Sequence, residues 1–599
     1  MGVRAAAIVL ALGAVATAQA AEPVVLVTSP TALQALERGP GQLGTRLFGR
    51  PLETTRALAA EPMYRDWIAG LRGDLAARQR RDSKSGVGMK FAHRLFDGVW
   101  LDSPLTRFEL VAVANRLDRR AFHAERCGET RLVYRLAYTT SRRGRTITSR
   151  LPMTVNVVYF QPQQEKDEEC KTAARRWVPA KTLEGEALAA WLTSADGPLA
   201  PARLDVANLK SVEVNLQQMR WPSTVRPDMG GHAEYLLRVF HLDPARQRLV
   251  PAALENTPDV ARLERDPRAR AALRAWARDP KNLAAIDAGT AVLPDELSAT
   301  SAISVSPRGL ARLANRPFAR VLPASALADL PLEKTTHVRT PAAFLRRLDG
   351  MTCAGCHQLR SVAGFHLLGE ERDAGKVVDA LWTPGSPHLD AEVPRRAAYV
   401  TAVAAGRAAD DARPLPDRDR IAGGYGAHCG LGDAGFADWK CQPGFACSAG
   451  EGGDDVGQCL PTGAPRAGDP CERGQLLASV DPLRDRITPR GSDTCARGGG
   501  CFTNYGGFPG GMCAISCQAA GPDEACGLIP ILKDFNGCVA RGAPFDTCIL
   551  ENADPAAMRA CDADHPCRDD FICARSKSTR GVCMPPYFLF QLRVDGHVL

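Results

Sequence analysis

Phe108-Glu-Leu-Val-Ala-Val113, Arg131-Leu-Val-Tyr-Arg-Leu136 and Met153-Thr-Val-Asn-Val-Val-Tyr-Phe160 decide the fold of this chain. Each run is rich in β-branched and aromatic residues and is bounded by turn formers, the composition of a strand on a pleated, half-buried surface. Ser141-Arg-Arg-Gly144 suits a connection between antiparallel strands. Two further strands are predicted at 211–219 and 234–242, and the turn signal Asp243-Pro-Ala-Arg246 follows the second. Upstream, Leu58, Met63, Trp67, Ile68 and Leu71 recur at helical spacing within 52–81. The fold class expected is α+β, with a mostly antiparallel sheet domain over residues 21–257.

Beyond this domain the pattern changes. Residues 258–412 read as a mainly helical segment: Pro258 to Asp279 as one helix, Pro341 to Leu348 as a short amphipathic helix with proline near its first turn, and Ala391 to Arg407 as a third. Proline- and charge-rich residues 413–428 read as a linker. Residues 429–583 are rich in glycine and cysteine and poor in aliphatic residues, so crosslinks must replace a core there. At the end, 584–599 alternate apolar and polar side chains (Phe588, Phe590, Leu592 and Val594 on one side), which predicts a strand.

The first twenty residues set the expected compartment. Arg4 supplies a positive charge, Ala5 to Ala16 is an apolar run, and Ala18-Gln19-Ala20 is a small-residue cleavage signal. That order describes a secretory signal peptide at 1–20, too short to span a bilayer, and places the mature chain in the periplasm or outside the cell. A net charge of +8 is well mixed along the sequence, with no concentrated basic stripe interleaved with aromatics, so nucleic acid is not an expected partner. No later stretch reaches membrane-spanning length.

The 20 cysteines divide unevenly, which separates their uses. Sixteen fall between Cys429 and Cys583 and read as a disulfide framework. Cys429, Cys441, Cys447 and Cys459 form one unit; Cys561, Cys567, Cys573 and Cys583 form a second, each with a phenylalanine two residues before its third cysteine. Cys127 and Cys170 lie in the sheet domain and are expected to pair with each other. Cys353 and Cys356 are left over.

These two belong to Cys353-Ala-Gly-Cys356-His357, the C-x-x-C-H signature of covalent c-type haem attachment. Two thiols on one helical turn can reach the two vinyl groups of a haem edge, and the adjacent His357 can turn its imidazole to the iron. The small Ala354-Gly355 filling suits close approach of the porphyrin. No methionine follows His357 before the cysteine-rich region, so His366, His388 and His428 are the downstream candidates for the opposite iron ligand. His366 is the nearest. Nine residues of chain reach about 30 Å, and Gly364 could permit the turn. Three other uses of the spacing stand beside haem c: a redox dithiol, a zinc site lacking further ligands at suitable spacing, and a structural disulfide. The acidic clusters Asp454-Asp455 and Asp562-Ala-Asp564 have no EF-hand pattern. No hydrolase, zinc-protease, P-loop or dinucleotide motif is present.

Three segments carry a family resemblance: Phe108 to Asp118, ending Asn115-Arg-Leu-Asp118; Cys127-Gly-Glu-Thr-Arg-Leu-Val-Tyr134; and Thr352-Cys-Ala-Gly-Cys-His-Gln358. Across roughly 100–370 the chain resembles uncharacterised exported bacterial proteins in which N-R-[LI]-D, C-G-E-x-R-[FL]-V and a single T-C-x-G-C-H occur in that order. The resemblance implies a composite protein rather than a free-standing small cytochrome, and no settled activity. The resulting expectation is an exported monohaem c-type cytochrome-like protein in electron transfer, with a redox partner protein. The alternative is a haem-free secreted cysteine-rich binding or structural protein whose C-x-x-C-H is a structural or redox disulfide.

Overall fold

The computed structural model describes residues 24–88, 90–142, 144–161, 166–221, 232–306, 309–370, 384–416, 423, 427–449, 456–464, 495–502, 512–514, 518, 561–562, 572–574 and 582–584. The signal peptide and the C-terminal strand expected at 584–599 lie outside the described residues, apart from Met584. The fold is α+β, built on a large, mostly antiparallel sheet. Its strands are β1 (Leu26–Val27), β2 (Ser85–Gly86), β3 (His93–Leu95), β4 (Thr106–Arg116), β5 (Glu129–Arg142), β6 (Arg145–Phe160), β7 (Leu209–Trp221), β8 (His232–Asp243), β9 (Arg248–Ala252) and β10 (Ala302–Ser306). They run in the order β1-β4-β5-β6-β7-β3-β2, while β8 pairs β7, β9 and β10; only β2 and β3 are parallel. Arg142 stands opposite Arg145 at the tip of the β5–β6 hairpin, where Gly144 takes a φ of 74°, as a two-residue hairpin turn demands.

Alternation gives the sheet two unlike faces. One carries Leu132, Tyr134 and Leu136 of β5, Met153, Val155 and Val157 of β6, and Val212, Val214 and Leu216 of β7. These pack with Trp67, Ile68 and Leu71 from the helix Pro62–Arg80 and form the main apolar core. The opposite face carries Glu129, Arg131 and Arg135 of β5, Glu213, Asn215 and Gln217 of β7, and Tyr235 of β8. A polar sheet face ordinarily meets water. Here it is covered by the chain that follows the C-x-x-C-H motif, and this position makes the site. Cys127 and Cys170 are joined as expected. Closing a loop of 43 residues removes about 4 kcal/mol of unfolded-chain entropy.

Three expectations need correction. Pro258 to Asp279 is not one helix but two, Val260–Arg265 and Pro267–Arg278. Pro267 forces Asp266 into an extended conformation, and the Asp266 carboxylate then caps the second helix by accepting from Arg268 N and Ala269 N. The boundary at 257/258 is not a break either: β10 joins the sheet through β8, and Tyr399, Val400 and Val403 of the helix Pro387–Ala404 enter the main core. Finally, the described start of the linker at 413–428 is docked rather than free. Arg413 bonds to Asp118, and Leu415 is buried with Phe436 and Trp439.

The cysteine-rich region is held by Cys429–Cys447, Cys441–Cys459 and Cys495–Cys513. No described helix is long and apolar enough to cross a membrane.

Candidate functional site

The motif is built from one helix ending and another beginning. Thr340 caps the helix Pro341–Met351 by accepting from Ala343 N at 3.2 Å. That helix stops at Thr352, whose ψ of 154° turns the chain. Thr352 Oγ1 then accepts from Gly355 N at 2.9 Å and donates to Asp349 O at 2.7 Å, so it caps the single turn Cys353–Cys356 and ties it to the preceding helix. Gly355 is required for a reason internal to the protein: a Cβ there would stand 2.0 Å from Asp349 O. Ala354 and Gly355 are both buried.

Cys353 and Cys356 are the free cysteines among the described residues. Cys353 N donates to Thr257 Oγ1 at 2.9 Å, and its thiol points at Glu255 O, 3.7 Å away. Burial pushes the Cys353 thiol up to about 12, and burial raises Cys356 as well. His357 follows with its ring beside Tyr235, Phe365 and His366 at centroid distances of 5.9, 6.5 and 6.3 Å. Its Nδ1 is buried without a hydrogen-bond partner among the described residues. Burial, and then His366, push His357 down to about 3, so the imidazole is neutral.

The chain after His357 folds back across the polar face of the sheet. Val362 and Phe365 bridge each other around Ala363 (φ 48°) and Gly364 (φ 81°). A Cβ on Gly364 would lie 2.5 Å from the Tyr235 ring, so the expected glycine turn is also a close packing contact. Asn215 Nδ2 donates to Gly364 O at 3.0 Å, the Tyr235 hydroxyl donates to Ala363 O, and Arg135 and Arg150 both donate to Leu368 O at 3.4 Å. Polar strand residues thus take up the carbonyls of the returning loop.

This return places His366 against the motif. His366 Nε2 lies 2.9 Å from Cys356 O and Nδ1 lies 2.8 Å from Ser386 Oγ. His388 stacks obliquely on His366 at 4.8 Å. Burial pushes His366 down to about 4 and His388 well below its ordinary value. The third candidate, His428, is elsewhere: its Nδ1 meets Arg346 Nη2 at 3.3 Å beneath the cysteine-rich unit. The sulfurs of Cys429, Cys441 and Cys459 come within 4.8 Å of one another, but they belong to two disulfides and offer no thiolate. Asp454, Asp455 and Asp564 lie outside the described residues.

Sequence reasoning missed the charge network that flanks the motif. On the Cys353 side, Glu129 binds Lys210 and Arg131, and approaches Arg119 at 3.6 Å. Arg131 also reaches Glu213 at 3.1 Å, and Arg119 bonds to Glu255. On the Cys356 side, Asp118 accepts from Arg116 Nε at 2.8 Å, Arg395 Nη2 at 2.9 Å and Arg413 Nη2 at 2.7 Å. Glu392 accepts from Arg395 Nη2 at 2.7 Å and Arg396 Nε at 3.3 Å. Burial alone would raise the Asp118 carboxyl; Arg116, Arg413 and Arg396 more than offset it and hold the group well below the usual carboxylate range. One signal was available: Arg116 and Asp118 belong to the N-R-L-D segment, and Glu129 and Arg131 to the C-G-E-T-R segment, singled out above. All three segments meet here.

Comparison with protein-family models, with curated proteins and with solved structures finds no match.

Proposed function

We propose that this chain is an exported monohaem c-type cytochrome-like protein whose role is electron transfer. The observation that carries the reading is the motif's state: two free thiols on one helical turn, directly before a histidine with a buried, unpartnered ring nitrogen. Cys127–Cys170, Cys429–Cys447, Cys441–Cys459 and Cys495–Cys513 are joined as disulfides, so thiol oxidation is the habit of this chain and the motif stands apart from it.

The residues fit the group. Cys353 and Cys356 would hold haem c through thioethers, and His357 would ligate its iron. Bound haem supplies one-electron chemistry at a potential tuned by its ligands and surroundings. The protein's own part is positional. Thr352 and Asp349 fix the turn, Tyr235 and Phe365 flank His357 in a buried setting, and burial keeps His357 neutral, the form that binds metal. His366 is proposed for the opposite face; as a ligand it would give up Cys356 O, while Ser386 would continue to orient its ring. A dithiol redox role has less support, because a buried thiol raised to about 12 supplies little thiolate.

Mass spectrometry under denaturing conditions tests this. Protein exported from a host with haem-maturation machinery should carry one covalent haem, lost when Cys353 and Cys356 are both replaced by serine. Colourless protein without the adduct would overturn the proposal in favour of a haem-free binding or structural protein.

A further inference from the structure

His357 Nδ1 shares its condition with two amide oxygens on the sheet face beneath the returning loop. Asn215 Oδ1 and Gln217 Oε1 of β7 are also buried without a hydrogen-bond partner among the described residues. Asn215 is 7 % exposed and Gln217 3 %. A buried polar atom without a partner is costly, and ordered water ordinarily supplies the partner that no protein group reaches. The remaining such amide oxygen among the described residues, Gln458 Oε1, belongs to the cysteine-rich unit.

Shared neighbours bring the three atoms together. Asn215 bonds to Gly364 O, Gln217 bonds to the Tyr235 hydroxyl at 2.9 Å, and that hydroxyl bonds to Ala363 O. The His357 ring lies beside Tyr235 and beside Phe365, the residue after Gly364. Neither amide can turn round. Gly364 O takes only a donor, so the amide nitrogen of Asn215 must face it. The Tyr235 hydroxyl gives its proton to Ala363 O, so it must accept from Gln217 Nε2. Both amide oxygens are therefore fixed as acceptors. A histidine that binds metal through Nε2 carries its proton on Nδ1, and that proton needs an acceptor outside the metal's own shell. One water accepts from Nδ1 and donates to both oxygens, which makes the three bonds usual for buried water.

We infer that Asn215 and Gln217 are positioning residues for His357. Their amide oxygens hold an ordered water that takes the Nδ1 proton and leaves Nε2 as the nitrogen offered to the iron. The iron side of this rests on the reading above; the tautomer does not.

Nitrogen NMR on the full haem-free chain, labelled at histidine, reads the tautomer, and His357→Gln locates the signal. Wild type should hold His357 as the Nδ1–H tautomer. Replacing Asn215 and Gln217 together by leucine should abolish that preference. Asn215→Asp keeps an acceptor oxygen but gives up the amide donor to Gly364, so it should retain the tautomer, whereas a merely structural role would make it behave as leucine does. In haem-loaded protein, identified by denaturing mass, the leucine variant should favour the ferrous state about tenfold, a rise of about 59 mV in midpoint potential. An Nε2–H tautomer in wild type would overturn the site, and needs no variant to fold. So would a tautomer and potential both indifferent to the leucine replacements. Absence of haem by mass would overturn the reading above and leave the tautomer to decide this site alone.

Discussion

His366 Nε2 lies 2.9 Å from the carbonyl oxygen of Cys356, so the loop after the motif returns an imidazole to the cysteine it left. Ser386 holds the other ring nitrogen at 2.8 Å. This pairing separates His366 from His388, which stacks on it but makes no comparable contact with the motif. In haem-loaded protein, His366→Ala is expected to convert a six-coordinate, low-spin spectrum to a high-spin one. His388→Ala should leave the coordination unchanged. A Met–iron charge-transfer band in the wild type, or a low-spin spectrum that survives His366→Ala, would rule out His366 as the ligand.

Gly364 carries the return. Its φ of 81° disfavours any side chain, and a Cβ would drive into the Tyr235 ring. Left-handed strain and overpacking together predict that Gly364→Ala loses about 2–4 kcal/mol. Gly49 is the control: its φ is 72°, and a methyl group added there would meet nothing within 4 Å, so Gly49→Ala should lose only about 1–2 kcal/mol. Urea midpoints at unchanged slope would measure both. Equal losses would mean that the Tyr235 contact is not a constraint.

Acid should unfold the protein in two stages. His357 and His366 are buried neutral, with folded values of about 3 and 4 against an ordinary 6.5. The unfolded chain therefore binds more protons, and in haem-free protein stability falls as pH drops below about 6.5. Asp118 and Glu255 are depressed in the folded state, Glu255 to about 2. Their contribution is complete above the unfolded carboxylate value of about 4, and is lost as pH falls through the folded values. Asp118→Asn breaks a buried ion cluster and should lower stability at pH 7 by about 3–5 kcal/mol. It should also flatten the stage below pH 4 while leaving the stage that begins near 6.5. Denaturant midpoints across pH 3–8 would show it, and an unchanged low-pH limb would exclude Asp118 as a source.

The sheet was legible because its strands are long and alternate cleanly, as in Arg131 to Leu136 and Met153 to Phe160. Shorter pieces escaped. Ala302–Ser306 is five residues in a proline-interrupted region, and its place on β8 depends on chain about seventy residues upstream. Asp266-Pro267 did announce a helix break, but the apolar spacing on either side masked it. The C-x-x-C-H motif was legible as local spacing. Its surroundings were not, because Glu129, Arg131 and Glu213 read as ordinary solvent-facing strand positions. Only the fold shows that the loop after the motif lies across this face, taking hydrogen bonds from Arg135, Arg150, Asn215 and Tyr235. The segments that carry the resemblance hold Asp118, Glu129 and Cys356, and nothing in their spacing indicates that these share a neighbourhood.

The cysteine-rich region holds one more regularity, hidden by its irregular middle. Cys447 faces Cys459 across one hairpin, Cys501 faces Cys513 across another, and Cys573 faces Cys583 across a third. In the first two the facing cysteines do not bond to each other. The second cysteine of each pair bonds instead to a cysteine six residues before the first, as Cys441–Cys459 and Cys495–Cys513. Directly opposite strand positions hold their Cβ atoms about 4.5–5.5 Å apart, wider than the roughly 3.8 Å a disulfide prefers. The residue six positions before Cys573 is Cys567, which lies outside the described residues, so here the spacing alone makes the expectation. Peptide mapping of unreduced protein should join the Cys583 peptide to the Cys567 peptide. It should recover Cys441–Cys459 and Cys495–Cys513 in the same digest. A Cys573–Cys583 crosslink would show that the third hairpin does not repeat the other two.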